Sequence, residues 1–320
     1  MFIRFLLIIC IGAVSQASLA AWGCQPAKIK PGNTSTGCFK QHGVKRHYRL
    51  HVPAAYPVNK QLPLLIGLHG GGGKNKRFEA YSRFSEVSDT TGAFIAVYPQ
   101  GIHKYWNDGR PNVNAEVDDV GFLQQLVIHL QQTVGTPIQN HRIYLAGMSN
   151  GGLMALRMAC EKPDWVAGVG VVAASMSIQL AQHCPAKPVP VTIAFIFGDQ
   201  DSAFLPNRMQ VNPVKPSQVR GRHIGIRRTV EQWAKINHCT SSTRSPPIDA
   251  VNQDRTRVVI ERHQGCQKPV LWYDIEGGGH RWADRSAKNG FVLRNALNLG
   301  SASHEINAAE TLWALFETVK

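Results

Sequence analysis

An apolar run, Ile143-Tyr144-Leu145-Ala146, leads directly into Gly147-Met148-Ser149-Asn150-Gly151, and a helix-like stretch, Gly152-Leu153-Met154-Ala155-Leu156-Arg157-Met158-Ala159, follows without a break. The order is strand, sharp turn, helix, with a serine at the apex. Such a turn is tight enough that a side chain two residues before or after Ser149 collides with neighbouring backbone, so glycine at 147 and 151 lets the Ser149 Oγ stand clear of a sheet. A pentapeptide of this form arises by chance in roughly one chain of this length in ten. Its place at a strand-to-helix junction gives it weight.

The same alternation runs through the chain. Apolar periodicity predicts strands over 46–52, 62–68, 93–98, 142–146, 166–173, 191–197 and 270–275, and helices over 77–91, 119–133, 151–160, 226–237 and 306–319. Continuous apolar strands separated by amphipathic helices imply an α/β fold, a mostly parallel central sheet with helices on both faces. Ligands of such sheets bind beyond the carboxyl ends of the strands, so the residues just after each strand carry the chemistry.

Three further groups lie at such places. His69-Gly70-Gly71-Gly72-Gly73 follows the strand at 62–68, and its bare backbone offers N–H groups; that of Gly71 with that of Asn150 makes a pair able to hold an oxyanion. Gly198-Asp199-Gln200-Asp201 follows 191–197 and offers an acid, with Asp199 and Asp201 both in reach. Glu276-Gly277-Gly278-Gly279-His280 follows 270–275 and offers a base. The order nucleophile, acid, base is that of α/β hydrolases. A phosphate cradle is disfavoured, because the His69 loop lacks a Gly-Lys-Ser/Thr ending. Tyr105, Trp106 and Trp282 are candidates to line an acyl or aryl pocket.

Composition narrows the setting. At 43% hydrophobic and 18% charged over 320 residues, the chain is globular and long enough for a large core. Residues 1–20, with Arg4, the apolar run from Phe5 to Val14 and Ser18-Leu19-Ala20, have the three parts of a secretory signal peptide. The expectation is a secreted protein, extracellular or periplasmic, with one catalytic domain over 21–320 and no stable membrane insertion. Cys10 aside, six cysteines remain. They allow fifteen connectivities; nearest-neighbour pairing would join Cys24 to Cys38, Cys160 to Cys184 and Cys239 to Cys266. No C-x-x-C occurs, so neither a zinc ribbon nor a thioredoxin-type site is expected.

With these residues in view, the chain resembles the secreted polyhydroxybutyrate depolymerase and feruloyl esterase group of α/β hydrolases. The likeness runs from about Tyr48 to Phe316. It rests on Tyr48-Arg49-Leu50-His51-Val52-Pro53, His69 to Gly73, Tyr98-Pro99-Gln100-Gly101, Trp106-Asn107, Val117-Asp118-Asp119-Val120-Gly121-Phe122, Gly147 to Gly152, Gly198 to Asp201, Gly277-Gly278-Gly279-His280-Arg281-Trp282 and Ala308-Ala309-Glu310-Thr311-Leu312-Trp313. The resemblance implies an α/β-hydrolase fold and a triad of Ser149, Asp201 and His280, with Asp201 rather than Asp199 as the acid. It also implies the Cys239–Cys266 bridge. Phe197 stands where the group usually has His, and Arg281 where it usually has Thr, which opens the question of substrate.

The chemistry expected is hydrolysis of carboxylic esters, such as hydroxyalkanoate oligomers, short-chain acyl esters or feruloyl-type aryl esters, with no metal or organic cofactor. A serine peptidase is the rival enzyme, and a non-catalytic envelope protein using its basic surface is the rival of another class. The net charge of +14 suits an anionic polysaccharide or surface as partner. Nucleic acid is not expected, since no binding motif accompanies the charge. Residues 203–225 are rich in basic residues and proline, which fits either a lid over the site or a solvated face.

Overall fold

The computed structural model describes residues 23–56, 60–184, 189–203, 222–251, 253–285 and 299–319. Residues 1–20, where a signal peptide is expected, and most of the basic stretch, 204–221, lie outside the described residues.

Ten strands form one sheet: β1 (Asn33–Gln41), β2 (Val44–Val52), β3 (Leu62–Leu68), β4 (Ile95–Pro99), β5 (Ile138–Met148), β6 (Gly168–Val172), β7 (Thr192–Gly198), β8 (Ser241–Arg244), β9 (Arg257–Gln264) and β10 (Val270–Glu276). Their order is β1-β2-β4-β3-β5-β6-β7-β10-β9-β8. From β4 to β10 all neighbours are parallel, and antiparallel pairs close both edges. Parallel strands need crossover connections, which place helices over both faces. The helices are α1 (Asn75–Ser82), α2 (Phe84–Thr91), α3 (Asp119–Gln132), α4 (Asn150–Glu161), α5 (Ile178–His183), α6 (Ile226–Ile236) and α7 (Ala308–Glu317).

All seven residues of β3 are buried, as a strand covered on both faces requires. Alternate residues serve two cores. Leu64, Ile66 and Leu68 pack with Phe122 and Leu126 of α3, Leu153 of α4 and Trp233 of α6. Leu65 joins the opposite layer with Phe78 of α1, Phe84 of α2 and Trp313 and Phe316 of α7. A single helix expected over 77–91 is instead two, because Arg83 adopts the left-handed conformation with φ 62°. Its guanidinium secures the break, bonding Glu86 and, at 3.1 Å, Asp284. Strands β1, β8 and β9 and helix α5 were not expected from periodicity.

Three disulfides, Cys24–Cys38, Cys160–Cys184 and Cys239–Cys266, follow nearest-neighbour pairing. Among the described residues no helix is long and apolar enough to cross a membrane.

Candidate active site

Ser149 stands between β5 and α4 with φ 56° and ψ −122°. A non-glycine residue held there carries about 1–3 kcal/mol of backbone strain, which persists only where the surroundings over-determine it. The surroundings do. The Ser149 N–H donates to the Val172 carbonyl at 2.9 Å. A Cβ on Gly147 would lie 2.4 Å from the Gly151 carbonyl carbon, and one on Gly151 would lie 2.2 Å from the Leu68 carbonyl oxygen. Both glycines are therefore required by close backbone approach, as the sequence implied.

The candidate acid and base come from neighbouring strand ends of the same sheet. After β7, the Asp201 carboxylate is fully buried and accepts the His280 Nδ1–H at 2.8 Å, while its other oxygen accepts the Ala203 N–H at 2.9 Å. With the carboxylate oxygen as the acceptor, Nδ1 is the nitrogen that carries the proton of this bond, the tautomer in which Nε2 is the acceptor nitrogen. Asp199 is placed differently: its carboxylate accepts the Gly277 N–H at 2.7 Å and pins the loop leading to the base. The Gln200 N–H reaches the Gly278 carbonyl at 2.8 Å, and the His280 N–H the Leu299 carbonyl at 2.7 Å.

The glycine loop after β3 crosses the serine turn. A Cβ on Gly70 would be 3.6 Å from that of Ser149, and a Cβ on Gly71 would be 3.6 Å from that of Asn150. The Gly72 and Gly73 N–H groups are occupied, by the Lys104 carbonyl at 2.9 Å and the Gly70 carbonyl at 3.0 Å. Among the described residues the Gly71 N–H meets no acceptor. Neither does that of Asn150, which opens α4 and has no partner within the helix. Two amides without an acceptor among the described residues thus lie beside Ser149, an arrangement able to stabilise a developing oxyanion.

His69 fixes one of them. Its Nε2 accepts the Gly101 N–H at 3.0 Å, with the Gln100 amide at 2.9 Å, so Nδ1 is the protonated nitrogen and donates to the Gly70 carbonyl at 2.8 Å. Burial lowers the His69 pKa to about 4, so the ring is neutral across the ordinary working range. A trans peptide points its C=O and N–H in opposite directions. Pinning the Gly70 oxygen therefore aims the Gly71 N–H.

Sequence reasoning missed the polar layer below. The Asn150 side chain accepts the Trp106 N–H at 2.8 Å and donates to the Trp106 carbonyl at 3.0 Å and the Asp108 carboxylate at 2.6 Å. Asp108 is fully buried and clasped by Arg110. Nearby, burial and then the Arg110 guanidinium lower the His223 pKa to about 4. Arg46 forms a second buried pair with Asp119, whose other oxygen accepts the Asn107 N–H at 2.8 Å. No spacing rule advertises these contacts; only the unusual density of polar residues from Trp106 to Arg110 hints at them.

Two of the three expected pocket aromatics are corrected. Trp106 is fully buried with its indole N–H on the His69 carbonyl at 2.9 Å, and Trp282 is wedged edge-on against Phe78 and Phe84, each 5.6 Å away. Both are core residues because the sheet's faces need large apolar filling there. Tyr105 alone stays half-buried beside the glycine loop: a Cβ on Gly71 would be 2.6 Å from its ring. Among the described residues no cluster of three or more His, Cys, Asp or Glu side chains is placed to hold a metal ion.

Residues 40–284 match the family model described as "Putative esterase". The chain is 30% identical over 286 residues to "Putative esterase NocK" of Nocardia uniformis subsp. tsuyamanensis, covering 84% of this chain and 78% of that one. It is 27% identical to feruloyl esterase B of Piromyces equi, over 77% of this chain and 44% of that longer protein. The acetyl xylan esterase of Aspergillus awamori shares the fold, with a TM-score of 0.53 at 14% identity over 77% of this chain and 94% of that one.

Proposed function

The chain belongs to the esterase family and is a carboxylic-ester hydrolase, and from that premise we propose that it is a secreted serine esterase acting through Ser149, His280 and Asp201. The observation that carries the reading is the strained Ser149 at the head of α4, on the same sheet end as a His280–Asp201 pair bonded at 2.8 Å. His280 Nε2 takes the Ser149 proton as Oγ attacks the ester carbonyl, and the carbonyl's electron pair moves to an oxygen held by the Gly71 and Asn150 amides. Asp201 keeps the ring in its working tautomer and offsets the charge of the imidazolium. Collapse of the tetrahedral intermediate expels the alkoxide, which the imidazolium protonates; water then attacks the acyl-enzyme by the same route. No step calls for a metal or organic cofactor.

Tyr105, half-buried at the glycine loop, borders the space where the acyl or leaving group would sit. The substrates proposed are short-chain acyl esters, feruloyl-type aryl esters and hydroxyalkanoate oligomers. Residues 21–320 are proposed as a single catalytic domain; three disulfides support an oxidising destination. The test is covalent labelling. An organophosphate should modify Ser149 in step with loss of ester turnover, and Ser149→Ala should lose about 10⁶ in kcat while retaining the wild-type Tm. Inhibition with Ser149 left unmodified refutes the assignment.

A further inference from the structure

An asparagine side chain offers two N–H donors and one carbonyl acceptor, and that of Asn150 spends all three on two residues: Trp106, through both its backbone groups, and Asp108. Asp108 has no exposure, and its two oxygens take the Arg110 Nε–H at 2.8 and 3.1 Å, a second guanidinium N–H at 2.5 Å and the Arg110 backbone N–H at 3.2 Å. As a stabilising device such a pair is poor. Desolvating two charges costs about as much as their attraction returns, and apolar replacements of similar volume are often neutral or better. What the charge adds locally is a short charge-assisted bond to Asn150 Nδ2, roughly twice the strength of a neutral one. It falls on the residue whose own N–H faces the oxyanion site.

Trp106 makes the arrangement a bracket. Its backbone grips the Asn150 side chain, while its indole N–H holds the His69 carbonyl, immediately before Gly70 and Gly71. The two amides come from different elements, the end of β3 and the start of α4, so their separation must be set by something that spans both. We propose that the Asp108–Arg110 pair, acting through Asn150 and Trp106, sets the spacing of the two oxyanion donors, making Asp108 and Arg110 positioning residues for the tetrahedral intermediate. The inference rests on the serine-esterase reading above.

Kinetics per titrated active site test it, with organophosphate as titrant and p-nitrophenyl acetate as substrate. The variants are Asp108→Asn, the charge-free double variant Asp108→Asn/Arg110→Gln and the conservative Arg110→Lys. Losing a whole oxyanion donor costs about 10²–10³ in kcat, so a donor displaced but not lost should cost about 10–100-fold, with KM changed less than about threefold. Arg110→Lys, which keeps a cation beside Asp108, should recover to within about fivefold of wild type. A trifluoromethyl ketone supplies a readout that packing would not move. Ser149 Oγ bonds to its carbonyl carbon, the π pair becomes the oxyanion and the serine proton passes to His280. Its affinity should fall in parallel with kcat, whereas the matching methyl ketone, which does not add, should bind as before. Wild-type kcat and trifluoromethyl ketone affinity in the charge-free variant, whatever its Tm, overturn the inference and leave the serine-esterase reading standing. A wild-type enzyme unlabelled at Ser149 overturns both.

Discussion

Gly151→Ala adds one methyl group at the place where α4 crosses the end of β3. Its Cβ would meet the Leu68 carbonyl oxygen at 2.2 Å, the Leu68 carbonyl carbon at 2.6 Å and the His69 carbonyl oxygen at 2.7 Å. All three are backbone atoms, so no rotamer change relieves the clash. Reaching ordinary contact at 3.4 Å demands a separation of about 1.2 Å between α4 and the end of β3. That motion carries the Asn150 N–H away from the Gly71 N–H and displaces Ser149 with it. A misplacement of about 1 Å at reacting groups costs on the order of 10²-fold in rate, and overpacking of this kind about 1–3 kcal/mol in stability. Gly152→Ala provides the scale, because there the nearest atoms are the Ala174 Cβ at 3.0 Å and the Gly147 oxygen at 3.1 Å, needing only a few tenths of an ångström. Turnover of p-nitrophenyl acetate per organophosphate-titrated site, with urea unfolding alongside, should show a loss of about 10² for Gly151→Ala and less than about tenfold for Gly152→Ala. Wild-type turnover and stability in Gly151→Ala, or greater damage from Gly152→Ala, would refute the reasoning.

Asp201→Asn should reduce kcat by about 10⁴ by favouring the wrong His280 tautomer, whereas Asp199→Asn, which touches the Gly277 amide rather than the base, should cost less than about tenfold; the reverse ranking would contradict the roles assigned to the two carboxylates. Stability should also fall on mild acidification. His69 and His223 have folded pKa values of about 4 against 6.5 for the unfolded ring, so the unfolded chain protonates first as pH drops. The stabilisation held above pH 6.5 is lost progressively down to pH 4, about 2 kcal/mol for each ring between pH 7 and 5. Urea unfolding at the two pH values measures it; equal stabilities would be incompatible with two neutral buried histidines, and His223→Asn should remove about half the dependence.

The parallel strands were legible because burial on both faces leaves continuous apolar runs, and 62–68 coincides with β3 residue for residue. The outer antiparallel strands β1, β8 and β9 were not, although the antiparallel β2 was expected over 46–52. Every residue of Ser241-Ser242-Thr243-Arg244 is exposed, and Arg257-Val258-Val259-Ile260-Glu261-Arg262-His263-Gln264 mixes charge with apolar residues, so neither carries the signature of a covered strand. The break between α1 and α2 was hidden by its residue type, since an arginine rather than a glycine takes the left-handed conformation. At the candidate site, Ser149, the Gly71 loop and His280 could be proposed because turn chemistry demands particular residues at strand ends. Asp108 accepts from Asn150, 42 residues away, and Arg110 clasps Asp108; no local rule encodes that partnership. Trp106 and Trp282 were misjudged for a related reason: an aromatic ring in a loop looks available until the chain supplies the carbonyl and rings that enclose it.

The bridges Cys24–Cys38, Cys160–Cys184 and Cys239–Cys266 each join a cysteine to the next one along the described chain. A polypeptide oxidised as it emerges, amino terminus first, therefore presents these thiols already sorted: Cys24, Cys160 and Cys239 wait only 14, 24 and 27 residues for their mates, before any rival downstream is available. An oxidase working in order of appearance would form native pairs alone, and maturation would not depend on a disulfide isomerase. Refolding the fully reduced chain of residues 21–320 removes that order and lets all fifteen connectivities of its six cysteines compete, so scrambling should be far more frequent there than in a chain oxidised as it emerges.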